Sequence, residues 1–478
     1  MTAPDQRPRK TKVVATLGPA CDDPETVAAM VRAGMNVARL NFSHGTLEQH
    51  RKNLESVRAA SEATGSPVAV MLDTRGVKIR TGLVEDGAVE LSVGEPFTLF
   101  TESRVGDAAG VSVSYDELAE ELVPDSRVLV DDGLIELRVR EVRRGQIHCE
   151  VARGGTLRDN KGLNLPGVDL LGHSLAEASL EDLTFAAEND VDYIAASFVR
   201  NRQDVLELRQ ILADRGVRIP IIAKIENTAA VENLDEIVAA ADGTMVARGD
   251  LGVEVPLAEL PLLQKRIIRK TVMNGRPVIT ATQMLDSMQR NPTPTRAEVS
   301  DVANAIFDGT SAVMLSGETA VGAYPVEAVR TMSRLARKAE SSIDEYGYLQ
   351  HVEPESASVV TEAVGQAAIT MAHHLNAAAI ITLTETGRTS RAISKFRPRC
   401  PILAVTSDLH VERRLTLNWG VTPVRCASRG PNEELIRAGL RQGRELGYLS
   451  PGDVVVATAG ISRESGSTNM IRVVTVGD

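Results

Sequence analysis

Residues 12–17, KVVATL, decide the fold when they are read with seven later runs of the same kind. These are NVARLN (36–41), VAVMLD (68–73), YIAASF (193–198), IIAKIE (221–226), GTMVAR (243–248), PVITAT (277–282) and SAVMLS (311–316). Each is short, rich in Val, Ile and Ala, and continuous rather than alternating with polar residues. That is the pattern of strands buried on both faces of a parallel sheet. Helix signals follow the runs: Asp23-Pro24-Glu25 opens a helix that Gly34 closes, and Thr46 with Glu48 and Gln49 opens another. Eight strands alternating with eight helices imply an α/β chain built on a (β/α)8 TIM barrel. A doubly wound open sheet has the same periodicity and is the competing architecture.

The spacing breaks once, between Asp73 and Tyr193, a gap too long for a βα loop. The gap holds VELSVGEPFTLF (89–100), RVLVDDGLIELRV (127–139) and QIHCEVARGGTL (146–157), which read as strands and hairpins. An inserted β-barrel lid domain is therefore expected over 76–172, with the catalytic barrel over 1–75 and 173–345. An insertion after the third strand sits above the face where barrels carry their chemistry. The polar stretch YGYLQHVEPESAS (346–358) reads as a linker. Beyond it, AAIITLTE, PILAVTS, VTPVRC, VVVATA and MIRVVTV imply a C-terminal α/β domain of five strands over 357–478.

Composition narrows the function classes. A chain of 478 residues, 43 % hydrophobic and 24 % charged, is an ordinary multidomain globule. Its formal net charge of −11 disfavours general attraction to nucleic acid or an anionic membrane, and 3 % aromatics are too few for base-stacking platforms. Cys21, Cys149, Cys400 and Cys426 show no CxxC spacing and read as free thiols of a reducing cytoplasm. No apolar run approaches the ~20 residues of a membrane span. Residues 1–10 are polar and read as a frayed terminus rather than a signal peptide.

Chemistry in such a barrel sits at the C-terminal strand ends. Those ends carry Arg39, Asn41 and Ser43; Asp73 and Thr74; Lys224 and Glu226; Arg248 and Asp250; Thr280 and Thr282. By the period of two, Arg39, Asn41 and Ser43 share a face if the strand stays extended, as do Lys224 with Glu226 and Arg248 with Asp250. Charges are expensive in buried strands unless paired, so four neighbouring strands charged at one level mark either a ligand site or an internal ion-pair network. Glu226 and Asp250 are hard oxygen donors suited to Mg2+ or Mn2+, and Arg39 and Lys224 suit phosphate. Gly249 and Gly252 around Asp250 suggest a turn whose N–H groups bind an anion. Metal, phosphate subsite and anion-binding turn together point to phosphoryl transfer.

Seven segments carry a resemblance to the pyruvate kinase family over nearly the whole chain. They are MNVARLNFSHG from Met35, LDTRGVKIRTG from Leu72, AKIEN from Ala223, VARGDLGVE from Val246, PVITATQMLDSM from Pro277, PTRAEVSDVANAIFDG from Pro294 and MLSGETAVGAYPVEAV from Met314. The resemblance implies a homotetramer that transfers phosphate from phosphoenolpyruvate to ADP, giving pyruvate and ATP. It implies that Lys224 and Arg39 neutralise the phosphoryl group, that Glu226 and Asp250 hold Mg2+, and that Gly249, Asp250 and Thr282 seat the substrate carboxylate. Thr282 would also belong to the proton relay. Asn41, Ser43, Asp73 and Thr74 match the family's monovalent-cation site. Arg80, His44 and Lys161 match nucleotide contacts, with Asn41 beside them.

Two departures stand out. Lys78 replaces the family's usual Glu, so its ammonium is expected to stand in for K+ and make K+ dispensable. In the loop resembling the effector site, Thr384, Thr386, Gly387, Arg388 and Thr389 offer a phosphate cradle that the loop from Gly460 to Thr468 would complete, but Glu385 stands where bisphosphate-responsive members often carry Lys. A phosphorylated activator with one phosphate is therefore expected. Two other readings compete: a barrel aldolase or lyase with Lys224 as Schiff base for pyruvate, and a non-catalytic paralogue that binds phosphometabolites.

Overall fold

A computed structural model describes residues 8–76, 79–131, 133–168, 175–347, 349, 360–428, 430–460 and 468–477. The eight strands are Lys12–Thr16, Val37–Asn41, Ala69–Asp73, Tyr193–Ala196, Ile221–Ile225, Gly243–Ala247, Val278–Ala281 and Ala312–Leu315. All neighbours are parallel, and the first strand pairs with the eighth, Lys12 facing Ala312, so the sheet closes into a barrel and the open sheet is excluded. Alternate residues explain the continuous apolar runs. Val14, Met71, Ile222, Met245 and Ile279 fill the barrel interior, while Val13, Val70 and Ile221 face the helix ring.

The helix caps follow their sequence signals. Asp23 accepts from Thr26 N at the start of helix Pro24–Ala33, and Gly34 ends it at φ 119. Thr46 and Gln49 form a capping box on helix Leu47–Thr64.

The insertion holds a six-stranded sheet and a two-stranded ladder of Ala88–Leu91 with Gly155–Arg158, curled about one apolar core that includes Phe97, Leu99, Leu137 and Ile147. The C-terminal domain is a five-stranded sheet in which only the last strand, Thr468–Thr475, runs antiparallel. It packs on the N-terminal face of the barrel. Arg413 Nε donates to Asp192 Oδ1 (2.7 Å), Tyr193 Oη donates to Arg414 O (2.6 Å), and Leu417 joins the barrel's interior cluster. The other face stays free for chemistry. Residues 1–7, the end of the lid at 169–174 and most of the linker at 350–359 lie outside the described residues.

Candidate active site

The strand-end charges converge at the C-terminal mouth as one buried network. Arg39 Nε donates to Asp73 Oδ2 (2.6 Å), and Lys224 Nζ lies 3.0 Å from Asp73 Oδ1 and 2.8 Å from Glu226 Oε1. Arg39 is braced by Thr16 Oγ1 of the first strand (3.1 Å). Burial alone would lower the Lys224 pKa, but Asp73 and Glu226 reverse this and hold it above the usual lysine range. Asp73 is likewise held below the usual carboxylate range, burial being outweighed by Arg39 and Lys224. Ion pairing within the mouth is therefore real, and it keeps Lys224 charged. A Schiff-base lysine must shed that proton, so the aldolase reading loses its nucleophile.

Glu226 behaves differently. Burial raises its pKa, and the neighbouring Asp250 adds to the effect against the pull of Lys224. Two cations, Arg39 and Lys224, face three carboxylates, Asp73, Glu226 and Asp250, so the inner mouth carries an excess negative charge. An anionic substrate would be repelled until a divalent cation inverts the balance. Two carboxylates fit a hard cation that keeps some of its waters. No cluster of three or more His, Cys, Asp or Glu with metal-binding geometry exists among the described residues.

Sequence reasoning missed Ser197 and Phe198, which help to hold this arrangement. Ser197 Oγ accepts from Lys224 Nζ (2.8 Å) and lies 3.1 Å from Asp73 Oδ1 and 2.7 Å from Thr74 O. It follows Ala195 on the inward face of its strand, so the period of two could have flagged it. Phe198 turns at φ 57 and donates its N–H to Glu226 Oε2 (2.7 Å). Thr282 sits at φ 67, a strained value for a β-branched residue. Arg248 clamps it there: Nη2 donates to Thr282 O (2.7 Å) and Nε to Ala281 O (3.2 Å), while Nη1 pairs with Asp301 (2.7 Å). Gly249 N donates to Thr282 Oγ1 (2.8 Å), joining the sixth and seventh strand ends.

The expected glycine turn is instead the first turn of a helix, Arg248–Glu254. A Cβ at Gly249 would make only ordinary contact with Thr282, at 3.6–3.7 Å. Protein packing does not demand glycine there, and the open space lies over the Thr282 hydroxyl.

The outer residues are less convergent. The second strand ends at Asn41, whose Oδ1 accepts from Ser43 N (3.3 Å). Ser43 therefore lies past a turn, exposed, and does not continue the face of Arg39 and Asn41. His44 is exposed too, but its carbonyl accepts from the buried His50 Nε2 (2.9 Å), and His50 stacks on Phe42. Thr74 is buried and its Oγ1 accepts from Ser197 N (3.1 Å). On the lid, Arg80 Nη1 donates to Asn160 O (3.1 Å) and Lys161 pairs with Asp131 (2.9 Å). Lys78 lies outside the described residues.

Between lid and barrel, Glu254 lines a cavity of about 220 Å3 with Leu163, Leu165 and Phe198. Burial first, then Asp250, pushes its pKa from 4.5 to about 7. An acid raised in the fold withdraws stability as pH climbs from 4.5 through about 7. Glu254→Gln is therefore expected to melt with the parent at pH 4 and to be more stable by about 1 kcal/mol at pH 8, allowing for its partial exposure. Thermal melts in chelator at both pH values check this; equal melting at pH 8 contradicts it.

In the C-terminal domain, Thr384 Oγ1 accepts from Gly387 N (2.9 Å), and Thr389 Oγ1 meets Thr468 Oγ1 (2.6 Å). Thr468 ends the closing loop, of which residues 461–467 lie outside the described residues. Thr386 and Arg388 instead line a cavity against the barrel.

Known proteins match this architecture throughout. A family model described as "Pyruvate kinase, barrel domain" matches residues 8–329, and "Pyruvate kinase, alpha/beta domain" matches 362–474. A pyruvate kinase of Sporosarcina psychrophila is 47 % identical over 98 % of this chain and 81 % of its own length. One from Geobacillus stearothermophilus is 48 % identical over the same shares. A crystal structure of a pyruvate kinase from Cryptosporidium parvum superposes with a TM-score of 0.92 at 40 % identity, covering 98 % of this chain and 96 % of that one. With both domain models matched and relatives near half identity over 98 % of this chain, the chain belongs to the pyruvate kinase family.

Proposed function

We propose that this barrel mouth transfers the phosphoryl group of phosphoenolpyruvate to ADP, yielding pyruvate and ATP in the last step of glycolysis. The observation that carries the reading is the Lys224 ammonium locked between Asp73 and Glu226 with Asp250 adjacent. Lys224 and Arg39 bind the phosphoryl group and offset its charge as the bond to the enolate oxygen weakens. The N–H groups at Gly249 and Asp250 and the hydroxyl of Thr282 orient the substrate carboxylate. Thr282 Oγ1 belongs to the relay that delivers a proton to the enolate carbon. Glu226 and Asp250 would hold the divalent metal the family requires, Mg2+ or Mn2+, which supplies Lewis-acid charge neutralisation when bound. Asn41, His44, Arg80 and Lys161 are the proposed nucleotide contacts. The enzyme is proposed to be a cytoplasmic homotetramer. No helix among the described residues is long and apolar enough to cross a membrane.

An assay coupling pyruvate formation to its reduction tests the reading: pyruvate must form from phosphoenolpyruvate only with ADP and a divalent metal. No pyruvate under those conditions revives the non-catalytic paralogue. The same assay in tetraalkylammonium buffer addresses Lys78. Activity without K+ is expected, and Lys78→Glu should create a K+ requirement of about tenfold in rate, the scale of one misplaced charge near the reacting group. A parent enzyme inactive until K+ is added contradicts this.

Asp73, Thr74, Asn41 and Ser43 remain the proposed monovalent-cation ligands. For the effector loop, a sugar or nucleoside monophosphate is expected to activate more strongly than fructose 1,6-bisphosphate, because Glu385 repels a second phosphate. A titration in which the bisphosphate is the strongest activator overturns that expectation.

A further inference from the structure

Among the described non-glycine residues with positive φ, Phe198 is the one aromatic, at φ 57. An L-residue held left-handed is costly, and such strain persists only where the surroundings over-determine it. Here they do so on both sides. Ser197 N donates to Thr74 Oγ1 (3.1 Å) and Ser197 Oγ to Thr74 O (2.7 Å), which pins the chain before Phe198. Val199 O accepts from Asn227 Nδ2 (3.3 Å), which pins the chain after it. The ring is confined as well. A Cβ on Gly76, at the start of the insertion, would stand 2.5 Å from Phe198 Cδ2 and 2.9 Å from Ser197 Cβ, so the backbone there lies against the ring.

The strained residue supplies one directed hydrogen bond. Phe198 N–H donates to Glu226 Oε2 (2.7 Å), while Lys224 Nζ holds Oε1 (2.8 Å). Each carboxylate oxygen thus has its own anchor, and together they fix the orientation of the group. With Ser197 and Val199 both pinned, the left-handed φ lets the chain pass between them and still present that N–H to Glu226. A side chain that rejects this φ must shift one of the pinned peptides and lose the aim. Contacts made to a metal's ligand, rather than to the metal, are typically worth about 10- to 100-fold in metal affinity.

We infer that Phe198 is a positioning residue that aims the Glu226 carboxylate at the divalent metal through its left-handed backbone. It acts through Glu226 and not on the reacting groups. The inference rests on the reading of Glu226 as a metal carboxylate.

The test is Mn2+ binding to the full chain without substrates, read from the electron paramagnetic resonance signal of the free ion, so that no turnover enters. Phe198→Val should weaken binding about tenfold or more, because a β-branched residue resists positive φ. Phe198→Gly should weaken it by about threefold at most, because glycine adopts that conformation freely. A packing role alone predicts the reverse order, since glycine removes more of the side chain. If either variant fails to fold, Phe198→Ala replaces valine and Phe198→Asn, which tolerates positive φ, replaces glycine, with the same order expected. Glycine as damaging as valine, or valine binding Mn2+ like the parent, overturns the inference. Glu226→Gln serves as the control. If it weakens Mn2+ binding while Phe198→Val does not, the positioning role alone falls. If it binds Mn2+ like the parent, the metal reading of Glu226 falls and this inference falls with it.

Discussion

Lys224→Met is expected to lower kcat by about 10^3-fold or more, the largest effect of any single substitution in the barrel mouth. Its ammonium lies between Asp73 and Glu226 and is the cation best placed to meet a transferring phosphoryl group. Removing one preorganised charge-stabilising group costs about 10^2–10^3 in rate even when the rest of a site survives. Here the loss is compounded, because Asp73 and Glu226 are left partly uncompensated in a buried setting. Breaking a buried pair from one side costs about 3–5 kcal/mol, so the variant should also unfold at lower denaturant. Steady-state kinetics and urea titration together check this. A variant with near-parental kcat contradicts the assignment, and one with lost activity but unchanged stability contradicts the network.

Glu226→Gln is expected to separate those two effects. It removes one of the two proposed metal carboxylates, so apparent metal affinity should fall at least about tenfold and activity about 10^2-fold, with partial recovery at high metal. Stability should fall by less than in Lys224→Met, because Lys224 keeps Asp73 as a buried partner (3.0 Å) and the amide keeps an oxygen for Phe198 N–H. Metal titration of the rate is the measurement; a loss of activity that no metal concentration recovers, with the metal midpoint unchanged, contradicts the role of Glu226.

The inner mouth was legible from the chain because strand period and charge are both local. Lys224 and Glu226 share a face and meet at 2.8 Å, as alternation requires. The reading failed where the backbone leaves regular geometry. Ser43 shares a face with Arg39 only in an extended strand, and the chain turns after Asn41. The strained conformations of Phe198 and Thr282 have no sequence signal, since neither is a glycine or asparagine. The segment from Arg248 reads as a glycine turn because Gly249 and Gly252 flank Asp250, yet tertiary contacts from Arg248 to Thr282 and Asp301 fix a helix there. Ser197 is small and uncharged, so charge at the strand ends does not mark it. The lid's ladder pairings depend on long-range packing that no local pattern encodes.

The central claim is that phosphorus moves from phosphoenolpyruvate to ADP at a site organised by Lys224 and a divalent metal. Phosphorus NMR of the full chain with both substrates follows the atom itself. The account predicts that the phosphoenolpyruvate resonance decays while the γ-phosphate of ATP grows one for one. It also predicts that chelator stops the exchange and that Lys224→Met slows it about 10^3-fold. No γ-phosphate signal, or transfer at the parental rate in chelator or in Lys224→Met, would contradict it.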